Sequence, residues 1–122
     1  MGEYTTFKDL TVWQKAMDLC DEVYVLSKLL PKEETYALAQ QMRRAAVSVP
    51  SNIAEGYKRN TNKDFIQFLS VSSGSNAEVE TQIYIAVRQN LISEEHAKTA
   101  LSLCTEVSKM LNALINRLKA DS

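Results

Sequence analysis

The chain contains little of what builds turns, covalent cross-links and metal sites: three glycines, two prolines, two cysteines and one histidine among 122 residues. So few glycines and prolines cannot supply the many tight turns of an all-β fold. Cys20 and Cys104 lie far apart and make no disulfide framework, which favours a reduced, cytoplasmic setting. No apolar run approaches the ~20 residues of a membrane span, and the start lacks a signal-peptide pattern.

Acidic and basic residues are nearly equal in number over the whole chain, but they are unevenly distributed along it. The formal net charge is −1 and the isoelectric point is near 5.8, which excludes a molecule-wide basic field that would attract nucleic acid. The only basic segment is 41–63, where one acid accompanies five bases: Arg43, Arg44, Lys58, Arg59 and Lys63. A local anion-binding surface is therefore compatible with the sequence.

Apolar residues recur at three- and four-residue spacing in four segments, at about 9–30, 32–56, 62–90 and 93–120. Each segment is long enough for a helix of roughly 30–40 Å. The loops between them are only a few residues long, so sequential helices must run antiparallel. The expected boundary residues are Thr11 with Gln14 as a capping box, Pro31 and Gly56 at the start and end of the second helix, Thr61 with Asp64, and Ser93.

The pattern predicts an all-α, single-domain, antiparallel up-down-up-down four-helix bundle covering residues 1–122. No strand pattern, internal repeat or domain linker competes with this interpretation.

Residues for catalysis and metal binding are sparse. A di-iron bundle needs Glu-x-x-His motifs on facing helices, whereas the single histidine, His96, lies in the first turn of the last helix. The serines at 70–75 have no nearby base, and no glycine-rich phosphate loop is present. The sequence predicts no enzyme, no metal, no cofactor and no small-molecule substrate. An active site built between subunits, around Glu55 or Glu78, is the remaining enzymatic alternative.

The second helix has features that a core-filling helix does not need. Pro50 removes a backbone hydrogen bond and is expected to kink the helix. A polar stripe of Arg44, Ser48, Ser51 and Glu55 runs opposite the core positions. This stripe is either a solvated face or a surface that meets another chain.

The third helix carries a second outward stripe of mixed character: Val71, Gly74, Glu78 and Ile85. Glu78 is a candidate partner for Arg43 or Arg44, because a semi-buried carboxylate needs an opposite charge. Mixed polar and apolar faces on two adjacent helices indicate self-association.

Several strings carry a family resemblance over about residues 7–92. They are Leu10–Ala16, Pro31–Glu34, Gln41–Ser48, Pro50–Gly56, and Gly74-Ser75 with Glu78. In order and spacing they resemble the four-helix-bundle family first noticed in intervening sequences of bacterial 23S ribosomal RNA genes. Its relatives include the accessory variability determinant of diversity-generating retroelements, a homopentameric barrel that binds nucleic acid.

The resemblance implies an up-down bundle that forms a homo-oligomer, with a pentamer as the favoured state. The leading hypothesis is a non-catalytic, self-assembling binding or scaffold protein. Its candidate structural and subunit-contact residues are Arg43, Arg44, Pro50, Asn52, Glu55, Gly74 and Glu78. The alternative is a nucleic-acid-binding accessory protein that acts through Arg44, Lys58, Arg59 and Lys63.

Overall fold

The computed structural model describes residues 6–122, which form four long α-helices. These are α1 (Thr11–Leu29), α2 (Leu38–Tyr57), α3 (Asn62–Arg88) and α4 (Glu94–Ala120). Each helix packs against the next and α4 packs against α1, whereas the diagonal pairs make no close backbone approach within residues 6–122. The predicted up-down-up-down four-helix bundle is confirmed.

The start of α1 differs from the predicted capping box. Leu10 occupies the N-cap position and makes no side-chain cap. The capping box lies one turn earlier, where Thr6 and Asp9 cap a short 3-10 turn, Phe7–Asp9. Gln14 instead donates from Nε2 to the carbonyl oxygen of Lys8 at 2.9 Å. The prediction was wrong because Thr11 is already the first helical residue of α1, and the N-cap position with its extended backbone falls on Leu10.

The second helix starts later than the predicted residue 32. Pro31 leads into a 3-10 turn, Lys32–Glu34, and the backbone of Ala37 then leaves the helical region. The Glu34 carboxylate accepts a hydrogen bond from the Leu38 backbone N–H at 3.3 Å. A carboxylate on a free donor also complements the positive end of the helix dipole. Glu34 therefore supports the first turn of α2 from outside the helix.

Gly56 does not stop α2, which ends at Tyr57. A Cβ at position 56 would stand 2.8 Å from Cβ of Phe68 and 2.9 Å from Cδ1 of Phe65. The missing side chain lets α2 and α3 approach closely near their connecting turn. The residue was correctly singled out, but for the wrong reason.

The caps predicted for the last two helices are confirmed. The side chain of Thr61 accepts from the Asp64 N–H at 3.1 Å, and that of Ser93 accepts from the His96 N–H at 3.0 Å. The third helix ends at Arg88 rather than at residue 90 because Asn90 adopts a left-handed backbone, φ 62°. Asparagine tolerates that conformation better than most residues.

The core consists of two apolar clusters, one toward each end of the bundle. On α3, Ser72 and Asn76 lie between Leu69 of one cluster and Val79 of the other, and both polar side chains are buried. Ser72 donates to the carbonyl oxygen of Val49 at 2.7 Å. A polar pair on α3 thus interrupts the apolar core near the middle of the bundle, where the sequence has two polar residues in an otherwise apolar stripe.

Candidate interaction surface

Arg43 ties α2 to α1. Its Nε donates to Oγ of Ser27 at 2.9 Å, and its guanidinium lies 5.8 Å from the ring centre of Tyr24. The Ser27 hydroxyl in turn donates to the carbonyl oxygen of Tyr24 at 2.8 Å. The Arg43 side chain therefore makes a helix–helix contact within the chain.

Three exposed residues, Arg44, Ser51 and Glu55, form the outer edge of α2, which we call the α2 ridge. Beside it lies an open groove of about 520 Å³ whose lining also includes Arg43 and Tyr24. Within residues 6–122, the ion pairs join Lys15 to Glu106 and Arg59 to Glu55. Arg44 takes part in neither of them, so its guanidinium is exposed and available to an external acid.

The fourth member of the predicted polar stripe, Ser48, faces α3 instead of solvent. Its Oγ lies 2.8 Å from Oγ of Ser75. Asn52 donates from Nδ2 to both the carbonyl oxygen and Oγ of Ser48, at 2.8 and 2.9 Å. The two Asn52 bonds lie within α2, around the turn in which Pro50 has no N–H to donate, and the Ser48–Ser75 bond links the middle of α2 to α3. Asn52 thus acts inside the chain.

A half-exposed apolar groove separates α1 from α2, and we call it the α1/α2 groove. It has a volume of about 320 Å³ and is lined by Trp13, Met17, Cys20, Val47, Pro50, Ser51 and Ala54. Met17 remains 38% exposed and Val47 42% exposed. Pro50 is buried at its floor, in a helix that continues through it to Tyr57. Water therefore covers apolar side chains that a protein partner could cover instead.

The second outward stripe, Val71, Gly74, Glu78 and Ile85, is exposed on α3 as predicted, and we call it the α3 ridge. Val71 is 49% and Ile85 43% exposed, and a Cβ added at Gly74 would meet nothing within 4 Å. Val71 and Ile85 therefore flank a stretch of α3 in which Gly74 leaves the backbone uncovered. Such a segment allows a second backbone to approach closely.

The predicted pairing of Glu78 with Arg43 or Arg44 is wrong within the chain. The carboxylate is exposed and accepts a hydrogen bond from Nε2 of Gln82 at 3.4 Å. Glu78 forms no ion pair with either arginine within residues 6–122, and Arg43 is turned toward Ser27 of α1. Like Arg44, Glu78 is left to interact outside its own chain.

The basic turn between α2 and α3 is only partly available. Arg59 pairs with Glu55 at 2.9 Å, and its guanidinium lies 4.7 Å from the ring centre of Phe68. Lys58 and Lys63 are exposed and belong to no ion pair within residues 6–122. Arg44 lies 14 residues before Lys58 on the same helix, about 21 Å along its axis. It does not join this turn.

Two further bases lie at the same end of the bundle. Nδ2 of Asn62 is 3.5 Å from the carbonyl oxygen of Leu118, which brings the end of α4 to the turn. Arg117 and Lys119 near that end are exposed. We call Lys58, Lys63, Arg117 and Lys119 the basic end. The sequence interpretation missed the last two, although up-down topology places the end of a fourth helix beside the turn between the second and third.

Of the side chains that could take part in catalysis, His96 belongs to a helix cap and Cys104 is buried in the core. His96 accepts from the Ser93 N–H at Nδ1, 3.3 Å, as part of the cap of α4. Burial, with a smaller contribution from the charge of Glu80, raises the pKa of the Cys104 thiol to about 12. In residues 6–122, no cluster of three or more His, Cys, Asp or Glu side chains could hold a metal ion.

None of the helices within the described residues is long and apolar enough to cross a membrane.

A model of the 23S rRNA-intervening sequence protein family matches residues 8–113. The chain belongs to this family. A similar fold is found in the crystal structure of a protein with unknown function from the S23 ribosomal protein family of Bacteroides thetaiotaomicron VPI-5482. The two superpose with a TM-score of 0.80 at 24% identity, covering 86% of this chain and 98% of that one. No curated protein matches this chain.

Membership confirms the family resemblance and the helical fold. The family description names no reaction, and the role of the solved relative is unknown.

Proposed function

We propose that this protein is a non-catalytic bundle of the cytoplasm that assembles with copies of itself and serves as a binding or scaffold protein. The observation that carries the proposal is the pair of unpartnered mixed surfaces, the α1/α2 groove and the α3 ridge. A surface that combines exposed apolar groups with unpaired charges is typical of a protein–protein interface. A ring of five copies is the assembly that the family resemblance supports.

The absence of catalysis is part of the same proposal. The single histidine is engaged in a helix cap, and the raised pKa values of both cysteines disfavour the reactive thiolate. Cys20 and Cys104 are free thiols, as a reducing cytoplasm would keep them.

Assembly is tested by multi-angle light scattering during size-exclusion chromatography, at protein concentrations from about 1 to about 100 μM. We expect a mass of about five times 13.7 kDa that does not depend on salt up to about 0.5 M, because much of the contact is apolar. A strictly monomeric mass at tens of micromolar would overturn the proposal.

The basic end favours a second candidate function, which is binding to the phosphate backbone of a nucleic acid. Lys58, Lys63, Arg117 and Lys119 come from three helix ends that the fold brings together. A surface that neutralises about four phosphates should bind weakly and lose on the order of 100-fold in affinity between about 50 and 200 mM salt.

Fluorescence anisotropy with a labelled single-stranded RNA and a DNA duplex tests this candidate. The triple variant Lys58→Glu, Lys63→Glu, Arg117→Glu should abolish binding at low salt. The matched control reverses three exposed lysines at the opposite end, Lys28, Lys32 and Lys98. Equal loss in both triple variants would show only an effect of net charge, and would remove the basic end as a site.

A further inference from the structure

We propose that the α3 ridge of one copy docks into the α1/α2 groove of the next copy, with α3 running parallel to the neighbouring α1. This inference rests on the proposed self-assembly and names the surfaces and the direction of the contact. The occupant of the groove is a second copy of this chain, because the chain itself presents a ridge whose apolar and charged groups match the groove in type and spacing.

The apolar part of the match involves Val71. Its side chain is among the most exposed apolar groups of α3, while Met17 and Val47 are exposed in the groove above the buried ring of Pro50. Covering all three removes apolar surface from water on both partners, which contributes roughly 25 cal/mol for each Å² buried.

The charged part of the match involves Glu78 and Arg44. Both are exposed, and neither belongs to an ion pair in residues 6–122. Arg44 lines the groove that continues beyond the apolar one, next to Tyr24 and Arg43. A carboxylate placed there would meet the unpaired guanidinium of Arg44 and one edge of the Arg43 guanidinium. Opposite charges at such positions set the register of an interface as well as its partner.

The spacing of these groups agrees on the two surfaces. From Val71 to Glu78 is seven residues, which is two turns or about 10.5 Å along a helix. In the groove, seven residues also separate Met17 from Tyr24 on α1, and Pro50 from Arg43 on α2. With Val71 beside Met17, the Glu78 carboxylate therefore falls at the arginine end.

Gly74 supports the same register. It lies between Val71 and Glu78, and a Cβ there would meet nothing in its own chain. In the proposed contact it faces Cys20 and Val47, the middle of the groove. The absence of a side chain at this position lets the two helices come close enough for the flanking residues to reach their partners.

The direction of the contact has a consequence for symmetry. In an up-down-up-down bundle α1 and α3 point the same way. If α3 of one copy lies parallel to α1 of the next, every copy is oriented alike along the bundle axis. The α3 ridge and the α1/α2 groove are different surfaces, so their contact is a heterologous interface. Such an interface generates a closed ring when the rotation from one copy to the next is a whole fraction of a full turn.

The native thiol of Cys20 makes this geometry testable in the full-length protein. Gly74→Cys places a thiol opposite Cys20 of the next copy, and mild oxidation should join them. Each copy then carries both halves of the bond, so a non-reducing gel should show a ladder beyond the dimer. Adding Cys20→Ser should abolish the ladder, whereas Cys104 is buried and does not compete.

Other crosslinking results would overturn the inference in distinct ways. A disulfide-linked dimer that persists when Gly74→Cys is combined with Cys20→Ser would mean that the α3 ridges of two copies face each other. The matched control Ile85→Cys lies eleven residues from position 74 on the same ridge, and a ladder from it instead would contradict the proposed register. No crosslink in a protein that light scattering shows to be oligomeric would reject this interface and leave self-assembly standing. A wild-type protein that is monomeric at tens of micromolar would reject both, whereas loss of assembly in the Gly74→Cys variant alone would support the close approach at position 74.

A charge exchange gives a second readout that needs no new thiol. Glu78→Arg and Arg44→Glu should each weaken self-association by about tenfold or more, and the double variant should recover it to within about threefold. These positions are exposed, so the monomer should fold in all three variants, which circular dichroism checks. Failure of the double variant to recover association would reject the Glu78–Arg44 contact.

Discussion

Asn76 donates from Nδ2 to the carbonyl oxygen of Cys104 at 2.9 Å, while its own Oδ1 is buried without a hydrogen-bond partner among the described residues. A buried polar group that is only half satisfied carries a desolvation cost of about 1–3 kcal/mol. The contact therefore fixes α3 against α4 at a cost in stability.

Replacing Asn76 with leucine should raise the free energy of unfolding by about 1 kcal/mol, because leucine has the same number and branching of side-chain heavy atoms and lacks the unsatisfied oxygen. Asn76→Ala should lower it by at least about 1 kcal/mol, because it leaves a cavity. Urea denaturation at fixed protein concentration compares the two. If leucine destabilises as much as alanine, the bond to Cys104 outweighs the buried oxygen.

Replacing each of the two described glycines with alanine should change the stability of the fold in opposite directions. Gly56→Ala drives a Cβ to 2.8 Å from Cβ of Phe68, so we expect a loss of about 1–3 kcal/mol. Gly74→Ala meets no neighbour within 4 Å and should gain up to about 1 kcal/mol from helix propensity. Thermal unfolding of both variants, diluted until light scattering shows single chains only, is the measurement. A stabilised Gly56→Ala variant would mean that α2 and α3 can separate there without loss.

Arg43 and Arg44 are adjacent in sequence and should differ in their effect on the single chain. Arg43→Lys loses the directed Nε bond to Ser27 and the stacking on Tyr24, which should cost about 1–2 kcal/mol of stability. Arg44→Lys is the matched control and should stay within about 0.5 kcal/mol, because its side chain is exposed. Equal losses would contradict the assignment of Arg43 to the α1–α2 contact.

The thiol of Cys104 should make the fold sensitive to alkali. Its folded pKa is raised from 9.0 to about 12, so the unfolded chain loses this proton at lower pH than the folded one does. The contribution of this group is fully present below pH 9 and decreases between pH 9 and pH 12, by at most about 1.4 kcal/mol per pH unit. The difference in unfolding free energy between wild type and Cys104→Ala should therefore shrink from pH 8 to pH 10.5. A constant difference would contradict the burial of the thiol.

The cap of α4 offers a local test of stability. Ser93→Ala removes the acceptor for the His96 N–H and should cost about 1 kcal/mol. Ser102→Ala, at an exposed position inside the same helix, should be neutral or slightly stabilising. Chemical denaturation of the two variants separates the loss of a cap from the loss of a hydroxyl.

Periodicity was sufficient to predict the bundle because the three- and four-residue spacing of buried residues such as Leu19 and Val23 is a direct record of helix geometry. Boundaries were less predictable where tertiary contacts compete with local signals. Thr11 could have capped α1, but the short turn before it places Leu10 at the N-cap position and Thr11 one residue inside the helix.

The candidate surface was predicted only in part. The sequence indicated which faces of α2 and α3 point outward, but it could not show that Arg59 is occupied by Glu55 or that Ser48 turns to Ser75. Those outcomes depend on the rotation of each helix about its axis, which periodicity fixes only to within one or two positions. The place of Arg117 beside the basic turn follows from the up-down topology and could have been predicted from it.

The two polar residues that interrupt the core on α3 also affect how this helix can loosen. The stretch around Leu69 packs in one apolar cluster and the stretch around Val79 in the other, whereas on α1 the buried residues Ala16 and Leu19 of the two clusters follow one another within a turn. Local opening that begins at one end of α3 can therefore stop at Ser72 and Asn76. In amide hydrogen exchange, the two halves of α3 on either side of this pair should then exchange as separate units.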